Sequence, residues 1–169
     1  MLLGAAGAGL LAGRQSVSGP AGGAPPGAPG FDRSVALSLA AEARDACARH
    51  MPDTQATRDA LEAAGLPSIG NDGRFHFHTP DRFDLLVAVN TGTRSLTCFV
   101  AVRNMTEAEA RGLIGPWLEV AEAEPASDLS GNGREVWRGR FRGGPVTLLV
   151  GDDIRLPGLR GRAIGAQGQ

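Results

Sequence analysis

Apolar residues recur at helical spacing in the segment that follows residue 30. Over residues 31–51 an apolar side chain returns at every fourth position, which predicts an amphipathic helix with Asp32 as its N-cap. The apolar stripe of this helix consists of Val35, Leu39, Ala43, Cys47 and Met51. A second helix, with Asp53 or Thr54 as its N-cap, is expected to run to Ala64, because Gly65 and then Pro67 prevent its continuation.

A third helix is predicted from a capping box, in which Thr106 is followed three residues later by Glu109. Its apolar face comprises Ala110, Leu113, Ile114 and Trp117. We expect Pro116 to kink or divide this helix, because proline has no backbone N–H to donate.

Alternation of apolar and polar residues predicts five strands, at residues 74–78, 84–90, 95–103, 135–141 and 146–150. Residues 68–73, 91–94 and 142–145 have the composition of turns, and residues 124–133 that of a polar loop. Strands joined by tight turns pair antiparallel. The sequence therefore predicts an α+β domain, with an antiparallel sheet of about five strands and helices on one face, in the order α-α-β-β-β-α-β-β.

Both ends of the chain differ in composition from this domain. Residues 1–13, MLLGAAGAGLLAG, form an apolar run that suits the core of a signal peptide and is shorter than the ~20 residues of a typical membrane span. The Pro/Gly/Ala-rich residues that follow predict a linker or cleavage region. We therefore expect residues 1–30 to be a signal-like segment with its linker, residues 31–151 one domain, and residues 152–169 a flexible tail without periodicity.

The basic residues that usually open a signal peptide are missing here, so a misplaced start codon is part of this interpretation. The predicted location is the periplasm or the secreted space. A cytoplasmic protein whose N-terminus is a mere tail is the alternative.

The two cysteines lie on the predicted core-facing sides of their elements, Cys47 on the first helix and Cys98 on the third strand. A disulfide between them would close a loop of about 50 residues and contribute ~4 kcal/mol in the chain-entropy model. Two buried free thiols are the alternative, because cysteine is a common core residue.

The segment RFHFHTPDRFD contains two histidines at strand spacing, His76 and His78. Residues two apart on a strand share a face, so the pair has the spacing of metal ligands. A third ligand would have to come from residues at no recognised spacing, namely Glu42, His50, Asp81 and Asp84. We expect Phe75 and Phe77 to point into the core and the two histidines to face solvent or the sheet edge, which makes a metal site a minor hypothesis.

Arginines alternate with apolar residues in REVWRGRFRGG. On a strand, Trp137, Gly139 and Phe141 share one face and Arg138, Arg140 and Arg142 share the other. The arginine row is a candidate for binding an anionic ligand such as a phosphate or an acidic polysaccharide.

Composition and motifs exclude several classes of chemistry. All 17 basic residues are arginine, so neither a Schiff-base lysine nor a phosphate-loop lysine is present. The net charge of −1 shows no basic excess, and we expect no nucleic-acid partner. Ser68 and Ser130 lie outside any nucleophile-elbow motif, and the Asp152–Asp153 pair is more typical of a turn than of a cation site. We predict no cofactor.

Four segments resemble small exported bacterial proteins that have no established activity: DACARHMPDTQATRDALEAAGL, SLTCFVAV, IGPWLEV and WRGRFRGGPVTLLV. They span most of residues 32–150. The resemblance implies the disulfide and the fold and carries over no catalytic residue.

The leading hypothesis from sequence is a small exported, non-enzymatic binding or structural domain with one disulfide. Its partner would be an envelope protein or an anionic ligand. One alternative is a metal-assisted hydrolase that uses His76 and His78. The other is a cytoplasmic or phage-associated interaction module.

Overall fold

The computed structural model describes residues 32–80, 84–92, 95–151 and 161–168. These residues form an α+β domain. The helices are α1 (Arg33–His50), α2 (Thr54–Ala63) and α3 (Glu107–Val120). The strands are β1 (Ser68–Asn71), β2 (Phe75–His78), β3 (Leu85–Asn90), β4 (Thr97–Val102), β5 (Glu124–Pro125), β6 (Glu135–Phe141), β7 (Gly144–Gly151) and β8 (Ala163–Gly168).

The strands form one sheet of 8, in the spatial order β1-β2-β3-β4-β8-β7-β6-β5. All of the pairings are antiparallel, as predicted. The predicted number of about five strands is wrong. Two of the additional strands, β1 and β5, are short edge strands within segments that were predicted as a turn and a polar loop.

The third additional strand, β8, corrects the prediction of a flexible tail for residues 163–168, whereas residues 152–160 and 169 of that predicted tail lie outside the described residues. It lies between β4 and β7, and in the described part of the chain it is the only strand that joins the β1–β4 half of the sheet to the β5–β7 half. Its sequence, AIGAQG, is poor in the β-branched and aromatic residues that mark strands. Small residues are required here because neighbouring side chains fill the space: a Cβ on Gly165 would lie 2.6 Å from the Phe99 ring.

The predicted helix starts are confirmed by their caps. Asp32 accepts hydrogen bonds from the backbone N–H groups of Ser34 and Val35, and Asp53 accepts one from Ala56. Thr106 and Glu109 form the predicted capping box at the start of α3. The expected division at Pro116 does not occur, since α3 continues to Val120 with the proline inside it. Residues buried on both sides of the proline, Ile114 and Trp117, fix the helix against the core.

The core lies between the three helices and one face of the sheet. On α1 the buried residues include Ala36, Ala40, Ala43 and Cys47, whereas Val35 is 53% exposed. Strict fourth-residue spacing drifts around a helix of 3.6 residues per turn, which is why the first residue of the predicted stripe falls outside the core. Within the described residues, no helix is long and apolar enough to span a membrane.

Replacement of Gly165 by alanine tests the central position of β8. The added Cβ would lie 2.6 Å from ring atoms of Phe99 and 3.2 Å from the Leu149 side chain, so we expect a loss of about 1–3 kcal/mol in the free energy of unfolding. Gly112→Ala is the matched control, because a Cβ at this α3 position meets nothing within 4 Å and alanine favours a helix. Urea unfolding measures both variants, and a neutral Gly165→Ala would contradict the packing of Phe99 over β8.

Candidate binding groove

The disulfide predicted from sequence is present between Cys47 of α1 and Cys98 of β4. Both cysteines are fully buried, and their Cα atoms are 6.3 Å apart. The bond links residues 51 positions apart, so the chain-entropy model assigns it ~4 kcal/mol of stabilisation. It ties the helix layer to the sheet.

The two histidines face the helices, which is the reverse of the predicted arrangement. In antiparallel pairs, residues directly opposite one another share a face. His76 is opposite Val89 and His78 is opposite Val87, and both valines belong to the core beneath the helices. Phe77 instead lies on the other face, in a row with Ala88 and Phe99.

The predicted orientation of the histidines was wrong because it assumed that one face of the sheet is exposed to water. In this sheet, both faces carry buried apolar side chains. Leu86 and Ala88 are buried on the face away from the helices. On the same face, the rings of Phe75 and Phe99 have their centroids 5.7 Å apart. The phenylalanines of β2 therefore pack against apolar side chains on the face away from the helices, and not in the core between the helices and the sheet.

His78 is a buried structural residue with one satisfied ring nitrogen. Its Nδ1 lies 3.0 Å from the carbonyl oxygen of Leu66, and because a carbonyl only accepts, this nitrogen donates. Its Nε2 is buried and has no hydrogen-bond partner among the described residues, and the same holds for Nε of Arg58 on α2. Burial lowers the pKa of His78, and the hydrogen bond to Leu66 and the charge of Glu62 oppose this effect. Burial and the positive charge of Arg58 also lower the pKa of His76.

The other residues considered as metal ligands are engaged or distant in the chain from this pair. Asp84 forms an ion pair with Arg103 at 3.2 Å. Glu42 and His50 belong to α1, and Asp81 and the Asp152–Asp153 pair lie outside the described residues. In the part of the chain that the structure describes, no three metal-ligating side chains come together.

The three candidate arginines do not form one row. Arg138 donates two hydrogen bonds to the carboxylate of Asp128, at 3.1 and 2.7 Å. Arg140 donates to the carbonyl oxygen of Gly143 at 2.6 Å. Arg142 lies in the β6–β7 turn, where it has a positive φ of 47°. Of the three, only Arg142 has no ion pair or hydrogen bond from its side chain within the described residues.

Arg142 lines a groove together with Arg49 from the last turn of α1. We call this cavity the arginine groove; its volume is about 310 Å³, and its lining comprises Asp45, Ala48, Arg49, Pro116, Trp117, Val120, Phe141 and Arg142. Trp117 and Phe141 form the floor and are almost fully buried, whereas Val120 on the rim is 72% exposed. Three elements that are distant in sequence thus place two cations around an apolar floor.

The floor of the arginine groove is rigidly supported. The indole N–H of Trp117 donates to the carbonyl oxygen of Arg44 at 3.0 Å, and Arg44 in turn donates to the carbonyl oxygen of Leu113. The Trp117 and Phe141 rings meet edge to face, with centroids 6.4 Å apart. This network joins α1 to α3 and fixes the Trp117 ring beneath the groove.

A second, smaller cavity shares part of this lining, and we refer to the two cavities as the lobes of the groove. Its volume is about 240 Å³, and its lining comprises Met51, Pro52, Phe141, Arg142, Gly144, Pro145 and Gly168. Phe141 and Arg142 belong to both lobes. Arg142 therefore stands between two small cavities.

Arg49 was not identified from the sequence. It lies in the last turn of α1, where a basic residue is favourable beside the helix C-terminus, so nothing marks it as a binding residue. Its position beside Trp117 depends on the packing of α1 against α3, which no local pattern encodes.

A larger cavity of about 640 Å³ lies near the N-terminus of α1, and its charged residues are already engaged. Asp32 caps the helix, and Asp84 pairs with Arg103. The arginine groove is the stronger candidate site because its arginines have no ion-pair partner among the described residues.

Acid should destabilise the domain through His78. The unfolded chain binds a proton at this imidazole near pH 6.5, but the folded chain binds it only at a lower pH. Between these two pKa values the unfolded state holds more protons, so the free energy of unfolding falls as the pH drops below about 6.5. Across pH 5–7.5, the melting temperature of His78→Gln should depend less on pH than that of the unmodified chain. His76→Gln should reduce this pH dependence by a smaller amount, because the His76 side chain is less buried. An unaltered slope in His78→Gln would contradict this assignment.

No protein-family model, no curated protein sequence and no solved structure matches the chain. The comparisons therefore assign it to no family.

Proposed function

We propose that the chain is a small exported domain of the cell envelope or the secreted space, that it binds a partner, and that it is not an enzyme. The observation that carries this proposal is the disulfide between Cys47 and Cys98. Disulfides persist in oxidising compartments and are rare in the cytosol. The signal-like run at residues 1–13 supports the same location independently.

The arginine groove supports a binding function. Ligand sites are concave and mostly apolar, with a few polar groups that fix orientation. The groove combines the Trp117 and Phe141 floor with two arginines, and its walls come from α1, α3 and the β6–β7 turn. Because these walls are held by the disulfide-anchored core, the groove is preorganised.

The rival function, a metal-assisted hydrolase on His76 and His78, gains no support from the geometry of the pair. His78 is fully buried, with one ring nitrogen committed to Leu66. Among the described residues, no third metal-ligating side chain joins the pair.

The experiment that tests the proposal is cell fractionation combined with mass spectrometry without reductant. The full open reading frame, including upstream codons, is expressed, and the protein is recovered from each fraction under thiol-blocking conditions. We expect the protein in the exported fraction, unlabelled at Cys47 and Cys98 and lighter by two hydrogen atoms than the reduced chain. Cytosolic protein with both thiols labelled would overturn the proposal, and a Cys47→Ser/Cys98→Ser variant controls for the labelling.

A further inference from the structure

We propose that the arginine groove binds an extended, acidic segment of a protein partner that carries its apolar and acidic side chains on the same side. This inference rests on the proposed binding function and gives its partner a chemistry. It assigns Arg49 and Arg142 to the acidic groups of that segment, and the two lobes of the groove to its apolar side chains.

Charge is the first argument for an acidic ligand. Within the described residues, neither Arg49 nor Arg142 forms an ion pair or a side-chain hydrogen bond, whereas the carboxylate of Asp45, also in the lining, lies 2.7 Å from Arg44. The groove thus has two uncompensated guanidinium groups and one compensated carboxylate. Guanidinium groups beside an apolar floor bind carboxylates through charge-assisted hydrogen bonds.

The shape of the groove favours a peptide over a compact ligand. The groove consists of two lobes of about 310 and 240 Å³, which share Phe141 and Arg142. Two cavities with an arginine between them suit a ligand with two separate apolar groups and an acidic group between them. In an extended peptide, side chains two residues apart point to the same side, so an acidic side chain can lie between two apolar ones on the side that faces the groove.

The backbone at Arg142 is the third argument. Phe141 and Gly144 pair across the turn, which leaves Arg142 and Gly143 as its two central residues, with φ of 47° and 82°. Such a turn favours glycine, asparagine or aspartate at both positions, since other residues are strained at positive φ. An arginine at this position strains the backbone of the turn and places a guanidinium between the two lobes. Strained residues of this kind concentrate at functional sites.

Titration of the folded, disulfide-bonded chain with a defined peptide tests the proposal. The probe is a short blocked peptide with the order Leu-Ser-Glu-Ser-Leu-Ser-Glu, which points leucine and glutamate to the same side when extended, and binding is measured by calorimetry and by amide NMR shifts. We expect shifts around Trp117 and Phe141, and an affinity about tenfold weaker in both Arg142→Asn and Arg49→Gln, because each loses a charged hydrogen bond. A counterpart with lysine in place of glutamate should not bind, and one with alanine in place of leucine should bind more weakly.

Arg138→Gln is the matched control for charge. It also removes one positive charge, but its arginine is paired with Asp128 outside the groove, so its affinity should equal that of the unmodified chain. Arg142→Asn should unfold at the same or a higher temperature, because asparagine accepts positive φ, and lost binding is then not lost folding.

Equal affinity in Arg142→Asn, or equal loss in Arg138→Gln, would overturn the proposal. Binding of dodecanoate with the same dependence on Arg142, and none of the peptide, would also overturn it in favour of an acyl carboxylate. These results are separate from the redox experiment. Free thiols at Cys47 and Cys98 would contradict the exported location but not the binding function of the groove. An exported, disulfide-bonded protein that does not bind the peptide would contradict only the ligand proposed for the groove.

Discussion

The insertion of β8 between β4 and β7 is the constraint on which the rest of the domain depends. In the described residues, β1–β4 and β5–β7 are separate antiparallel sets that meet only through this strand. The insertion requires small residues, because the Phe99 ring occupies the space beside Gly165, and Met51 approaches Gly168 in the same way. The strand β8 therefore pairs with β4, which lies far before it in sequence, as well as with β7.

The disulfide and β8 act together to build the arginine groove. Cys47–Cys98 fixes α1 over β4, and β8 positions β6 and β7 beside β4. Arg49 comes from the helix that the disulfide anchors, and Arg142 from the hairpin that β8 attaches. The groove thus lies between the two helices α1 and α3 and the β6–β7 hairpin, and its two arginines are far apart in sequence.

Short sequence motifs correctly predicted where the three helices begin. The caps at Asp32, Asp53 and Thr106 are short hydrogen-bonding motifs, and they fixed the helix starts. The strand β8 was not predicted because its small residues have low strand propensity. Glycine is required at position 165 because the Phe99 ring occupies the space that a side chain would fill. The facing of His76 and His78 was reversed because both sheet faces are apolar, a feature that the unbroken apolar run of β3 already contained. Of the candidate site, sequence reasoning identified the disulfide and Arg142 but not Arg49, whose role depends on how α1 packs against α3.

Hydrogen–deuterium exchange of the intact, oxidised chain tests the central position of β8 most directly. A strand paired on both sides has its backbone amides protected by cooperative opening of the sheet. The account predicts that the amides of β8 exchange as slowly as those of its neighbours β4 and β7. Exchange of residues 163–168 at the rate of an unstructured peptide, beside protected amides in β4 and β7, would contradict it.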